Sequence, residues 1–178
     1  MSDFFDLINK RESCRNFADT PVTKEQLLAC AEAARLAPSS TNSQPWRFLA
    51  VNGPEKSAMV AKCTQSLGMN KFTDKAPAFF IVCEEKTTLT SRLGGVVKDV
   101  YFAPIDIGLA VAHLCYAAAE QGLSTCILGW FDEKKLIRQF FLPEKTNIRL
   151  VIAIGYSADE AAREKKRKEL EEVFDYFE

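Results

Sequence analysis

The sequence predicts a single domain, spanning residues 1–178, in which helices and buried strands alternate around a packed core. Three observations lead there. A chain of 178 residues has the length of one domain able to bury a real interior. The run A-F-F-I-V-C at 78–83 is apolar on both faces, as a central strand must be, and I-R-L-V-I-A-I at 148–154 reads as a second buried strand. Between them, residues 104–121 form the strongest helical stretch, apolar nearly all round and bounded by Pro104 and Gly122.

Composition narrows the class. An apolar fraction of 47% with 26% charged residues is that of a water-soluble globular protein. The formal net charge of −1 gives no reason to expect nucleic acid or an anionic membrane as partner. The N-terminal M-S-D-F-F-D has no basic leader, and no segment reaches the roughly 20 apolar residues of a membrane span, so a cytoplasmic protein is expected. The six cysteines are scattered singly with one histidine, His113, which argues for reduced core thiols and against a zinc cluster.

Taken in order, Phe4, Leu7 and Ile8 predict a short amphipathic helix over residues 3–10. Thr23 and Gln26 stand in the relation of a capping box and open a helix running to Leu36. Residues 46–51 read as a strand closed by Gly53-Pro54, and a helix follows from about Glu55 to Leu67. Residues 84–103 show no period and are interrupted by Gly94-Gly95, which predicts a flap near a ligand. On the long helix 104–121, His113 is expected to be a satisfied structural residue of the core. A strand at 124–128, a helix capped by Asp132 and the strand at 148–154 complete the domain. The charged tail carries Leu170, Val173, Phe174, Tyr176 and Phe177, an apolar side suited to a partner subunit.

Chemistry is concentrated in three stretches. The segment from Pro38 to Pro45 (P-S-S-T-N-S-Q-P) offers hydroxyls and amides on a backbone stiffened by two prolines, with Pro45 biasing Gln44 towards an extended conformation. If the chain is extended after the first helix, Arg11, Ser13 and Arg15 share one side, a set suited to a phosphate monoester. In an extended tail, Lys165 and Arg167 share a face in the same way. Glycine-rich phosphate loops of the G-x-x-x-x-G-K-[ST] and G-x-G-x-x-G kinds are absent, so a nucleotide here must be held by side-chain cations.

R-x-S-x-R followed by A-A-R-x-A-P-S-S-x-N-x-Q-P-W-x-F resembles the FMN-dependent nitroreductase family. The D-I-G-L-A, G-L-S-T-C, G-W-F-D and I-A-I-G-Y segments and the K-x-R-K-x-L-E-E tail fall in the matching order, so the resemblance covers Arg11 to Glu172. It implies an α+β fold with a central mixed sheet flanked by helices, an intertwined homodimer, and FMN in the cleft between subunits. By the same resemblance, Arg11, Ser13, Lys165 and Arg167, with Glu12 among them, correspond to the contacts of the FMN phosphate and ribityl chain. Arg15 corresponds to the cation beside the flavin N1–O2 edge, and Asn70 to the amide on the pyrimidine ring. Pro38, Ser39, Ser40, Asn42 and Gln44 correspond to the loop that approaches FMN, partly from the second subunit, and Leu128 and Gly129 to the turn facing flavin N5.

The implied activity is transfer of electrons from NADH or NADPH to a nitroaromatic, quinone or related small acceptor, the two substrates taking turns at one pocket. A reductive dehalogenase, a flavin-modifying enzyme and a flavin-binding regulatory module are the alternatives within the same resemblance. Three residues depart from the family pattern: Glu12, where a basic or neutral residue is more common; Thr73, where some members carry lysine; and Trp130, beside the turn at Gly129.

Overall fold

In the computed structural model, which describes residues 4–161 and 163–178, four strands form one sheet in the order β1-β2-β4-β3. These are β1 (Trp46–Asn52), β2 (Ala78–Glu84), β3 (Ser124–Leu128) and β4 (Asn147–Gly155), and each pairs antiparallel with its neighbours. The expected mixed character is confined to the edge, where Ser13 forms a parallel bridge with Thr125 of β3. Met1, Ser2 and Asp3, which the sequence places before and at the start of the first helix, lie outside the described residues.

Alternation along the strands makes a three-layer molecule. Phe80 and Val82 of β2, with Ile152 and Ile154 of β4, pack on helices α2 (Lys24–Arg35) and α5 (Phe102–Glu120). Their neighbours Phe79, Ile81, Cys83, Val151 and Ala153 face the other way, onto α3 (Pro54–Thr64) and α6 (Glu133–Gln139). Successive side chains of a strand point to opposite faces, so a strand covered on both sides must be apolar throughout. Burying these two faces is the main contribution to stability, at about 1.5–3 kcal/mol for each large aliphatic or aromatic side chain.

The helix signals are realised locally. At α2 the Thr23 hydroxyl accepts from the Gln26 N–H at 3.2 Å and the Gln26 amide oxygen accepts from the Thr23 N–H at 3.0 Å. At α6 the Asp132 carboxylate accepts from the Lys135 N–H at 2.9 Å. All six cysteines are unpaired and buried, and burial raises the thiol pKa of Cys30 and Cys83 to about 11, so these groups are inert near neutrality.

Three expectations are corrected. The stretch 84–103 is not an irregular flap, because Leu89–Lys98 form helix α4, started by the Thr88 hydroxyl accepting from the Ser91 N–H. It stops where Asp99 turns left-handed (φ 52) and the Val100 N–H reaches back to the Gly95 carbonyl at 2.9 Å, a stop more often made with glycine. The second correction concerns α5, which is buried on one side only: Ile105 is 55% and Leu109 41% exposed. It is long and apolar enough to cross a bilayer by composition, yet its inner face packs on α2 and the sheet. Third, His113 lies on the exposed side, its Nδ1 at 2.8 Å from the Leu109 carbonyl of its own helix. The third helix also stops early, at Thr64, and a single 3-10 turn at Ser66–Gly68 follows it.

Candidate functional site

The chain's two ends meet beside the edge strand β3. Helix α1 (Phe4–Lys10) closes with the Arg11 N–H on the Leu7 carbonyl, and the chain then runs extended along β3, the Cys14 N–H donating to the Thr125 carbonyl at 3.0 Å. Cys14 turns into the core while Arg15 is exposed. From the other end, the tail returns after β4: the Ala158 N–H donates to the Asn16 carbonyl at 2.8 Å, and the Asn16 amide donates to Asp159 at 2.7 Å. Arg11, Ser13 and Arg15 then share an open cleft of about 320 Å³ with Lys165 and Arg167. The two sets of cations read separately from the sequence thus form one site.

Glu12, Arg163, Glu164 and Lys166 complete the walls of that cleft. The Glu12 carboxylate accepts from Arg163 Nε at 3.0 Å and from the Arg163 N–H at 3.3 Å, and Arg163 Nη2 donates to the Ser13 carbonyl at 2.6 Å. Sequence reasoning missed Arg163, whose partners lie 150 and 151 positions away and leave no local signal. Lys165 donates its Nζ to the Arg11 carbonyl, and burial, followed by the charges of Arg11 and Arg167, lowers its pKa. A lysine pressed by neighbouring cations in this way marks a place where an anion is favoured.

At the far end of β3 lies a second group. Leu128 points its side chain into the core, whereas a methyl group placed on Gly129 meets nothing within 4 Å. Asn70, left-handed at φ 50, spends its amide on the carbonyls of Thr64 at 3.1 Å and Trp130 at 3.2 Å. Trp130 in turn donates its ring N–H to the Ser66 carbonyl at 3.0 Å, clamping the 66–70 turn against the Gly129 turn. Thr73 is fully buried and bonded to Thr64, so it faces no ligand. Four residue steps of strand separate Thr125 from Gly129, roughly 13 Å at a strand's rise. The cationic cleft and the open Gly129 turn therefore both lie along the edge strand β3.

The third group, the loop of Pro38, Ser39, Ser40, Asn42 and Gln44, does not join the others within one chain: none of its residues lines the cationic cleft. It packs on α5 and the start of α4 instead. The Ser40 N–H donates to Asp106 Oδ1 at 3.0 Å, and the Thr41 and Thr88 hydroxyls lie 2.9 Å apart. Asp106 is buried, and α5 carries no other carboxylate before its last residue, Glu120; a carboxylate inside so apolar a stretch was the available signal of its role. The expected extended conformation of Gln44 is not adopted. Thr41, Asn42 and Gln44 are left-handed at φ 50, 52 and 47, with the Gln44 N–H donating to the Ser39 hydroxyl at 2.9 Å. This internal bond outweighs the preference imposed by Pro45, and such strain, about 1–3 kcal/mol per residue, is characteristic of ligand clamps.

The chain has recognisable relatives. The chain is 27% identical over 194 residues to an oxygen-insensitive NADPH nitroreductase of Helicobacter acinonychis, covering 90% of each protein. It is 26% identical to an FMN reductase [NAD(P)H] of Bacillus subtilis, covering 92% of this chain and 69% of that protein. A nitroreductase from Exiguobacterium sibiricum, solved in complex with FMN, superposes with a TM-score of 0.82 at 22% identity, covering 99% of this chain and 98% of that one. The model of the nitroreductase family matches residues 8–66 and 54–156, and the chain belongs to the nitroreductase family.

Proposed function

We propose that this protein is an FMN-dependent oxidoreductase that takes electrons from NADH or NADPH and delivers them to a small acceptor such as a nitroaromatic or a quinone. The observation that carries this reading is the cationic cleft built by Arg11, Ser13, Arg15, Lys165 and Arg167 at one end of β3, with an open glycine turn at the other. Its chemistry suits a phosphate monoester, and a chain of net charge −1 has no general attraction for anions, so the affinity must be local. FMN supplies the redox chemistry when bound, and the protein supplies position and field.

On this reading, Arg11, Ser13, Lys165 and Arg167 hold the phosphate and ribityl chain. Arg15 sets a positive charge against the negative charge that builds on the flavin as it accepts electrons. Leu128 and Gly129 offer backbone N–H groups to the ring. Asn70 acts chiefly by fixing the Gly129 turn, since both its amide bonds already go to backbone carbonyls. The strained loop bearing Pro38, Ser39, Ser40, Asn42 and Gln44 completes the site from a second copy of the chain, because none of its residues lines its own cleft. Exposed Ile105 and Leu109 on α5, together with the apolar tail, support such a homodimer. The six unpaired buried thiols support the cytoplasm as compartment.

Steady-state oxidation of NADH and NADPH, measured with and without a nitroaromatic or quinone, tests the reading. Flavin-dependent oxidation that rises on adding acceptor, with parallel double-reciprocal lines, is the expected result. Intersecting lines contradict the shared pocket, and flavin uptake without turnover marks a binding module instead.

A further inference from the structure

Glu12 presents a paradox of sign: a carboxylate stands in the wall of a cleft whose other charged groups are nearly all cationic. Simple Coulombic reasoning makes it an obstacle to any anion bound there. The geometry points to the opposite role. The Glu12 side chain is only 11% exposed, whereas that of Arg163 is 56% exposed, so the acid is the fixed partner and the base the one that docks on it.

We infer that Glu12 is a positioning residue that anchors the C-terminal tail through Arg163 and so assembles the anion site before its ligand arrives. This inference rests on the flavin-binding reading above. Arg163 reaches Glu12 through both its backbone N–H and its Nε, and holds the Ser13 carbonyl at 2.6 Å with Nη2. Two residues further on, Lys165 is held on the Arg11 carbonyl, and Arg167 follows into the same cleft. The Ser13–Cys14 segment under the tail is itself fixed to β3, where Cys14 donates to Thr125 at 3.0 Å. The order of support therefore runs from sheet edge to Glu12, from Glu12 to Arg163, and from Arg163 to the cations that follow it.

Two physical effects favour this anchor over mere repulsion of the ligand. Arg163 at 3.0 Å already compensates the Glu12 charge, so little of its field remains to oppose an anion. Without Glu12, the gathered cations Arg11, Lys165 and Arg167 repel one another, and the tail keeps only its uncharged partners, the Ser13 and Arg11 carbonyls and the bonds at Asn16. The tail must then be ordered by the ligand itself, which lowers affinity.

The test compares FMN with riboflavin, which lacks the phosphate, by flavin fluorescence titration of wild type, Glu12→Gln, Arg163→Gln and the double variant. Removing the negative charge is expected to weaken FMN binding roughly tenfold while leaving riboflavin binding within about twofold. The double variant is expected to lose no more than the worse single one, because both disrupt one anchor. In the absence of flavin, trypsin should cut the 165–168 segment of Glu12→Gln and Arg163→Gln faster than that of wild type. Unchanged or tighter FMN binding by Glu12→Gln overturns the inference. So does equal weakening of both flavins, or a double variant whose loss is the product of the single losses. If wild type does not prefer FMN over riboflavin, the flavin reading fails instead, and the proteolysis comparison still decides whether Glu12 anchors the tail.

Discussion

Arg15 is the side chain whose charge matters most for chemistry on the proposed account, and among the described residues it has no ion pair of the kind that occupies Arg163. A fixed charge facing one that develops during reaction accelerates the step without taking part in bonding, and removing such a group typically costs about a hundredfold in rate. Arg15→Gln is therefore expected to slow flavin reduction by roughly that factor in anaerobic stopped-flow at equal flavin occupancy. His113→Gln should reduce normally, since that ring is exposed and bonded to its own helix. Collapse of the rate in the histidine variant alone would contradict the assignment. Residues of this site were unevenly legible in the sequence. Alternation along an extended segment was enough to group Arg11, Ser13 and Arg15, and the same rule grouped Lys165 with Arg167. That the two groups form one cleft, and that Glu12 is neutralised by Arg163, depends on contacts across the fold that no local pattern encodes.

Helix α4 shows where element-level reading stops and why. Two adjacent glycines argue against a helix, and its stop is Asp99 in a left-handed conformation where sequence rules look for glycine. The glycines are not equivalent. A Cβ on Gly94 meets nothing, whereas one on Gly95 lies 2.6 Å from the Val100 carbonyl oxygen. Gly94→Ala should stabilise the helix by up to about 1 kcal/mol through its better propensity, while Gly95→Ala should open the final turn. Hydrogen exchange of the amides around 96–101 distinguishes them: slower or unchanged in the first variant, faster in the second. Equal protection in both would show that the turn at Asp99 does not depend on the close approach. The strands and α2 were easier to read, because burial on two faces of a strand leaves an apolar run and a capping box leaves two residues at fixed spacing. The left-handed residues Thr41, Asn42 and Gln44 were not, since their conformation is imposed by contacts to Ser39, Asp106 and Thr88.

At the scale of the molecule, the three parts of the candidate site divide unequally. The cationic cleft and the Gly129 turn lie along one edge of the sheet, whereas the strained loop packs beside α4 and α5. Exposed apolar side chains stand on the same helices, Val96 and Val97 on α4 and Ile105 and Leu109 on α5, and Phe174 and Phe177 add more in the tail. Exposed apolar surface of this amount on a domain of this size is a surface to be covered. On the proposed account a second copy covers these side chains and at the same time brings the loop to the partner's cleft, which gives the loop's strain a use. The most direct test is light scattering of the purified protein with in-line flavin absorbance. The account predicts a two-chain particle that carries one FMN per chain and stays paired on dilution. A flavin-loaded monomer, or a dimer that takes up no FMN when titrated with it, would contradict it.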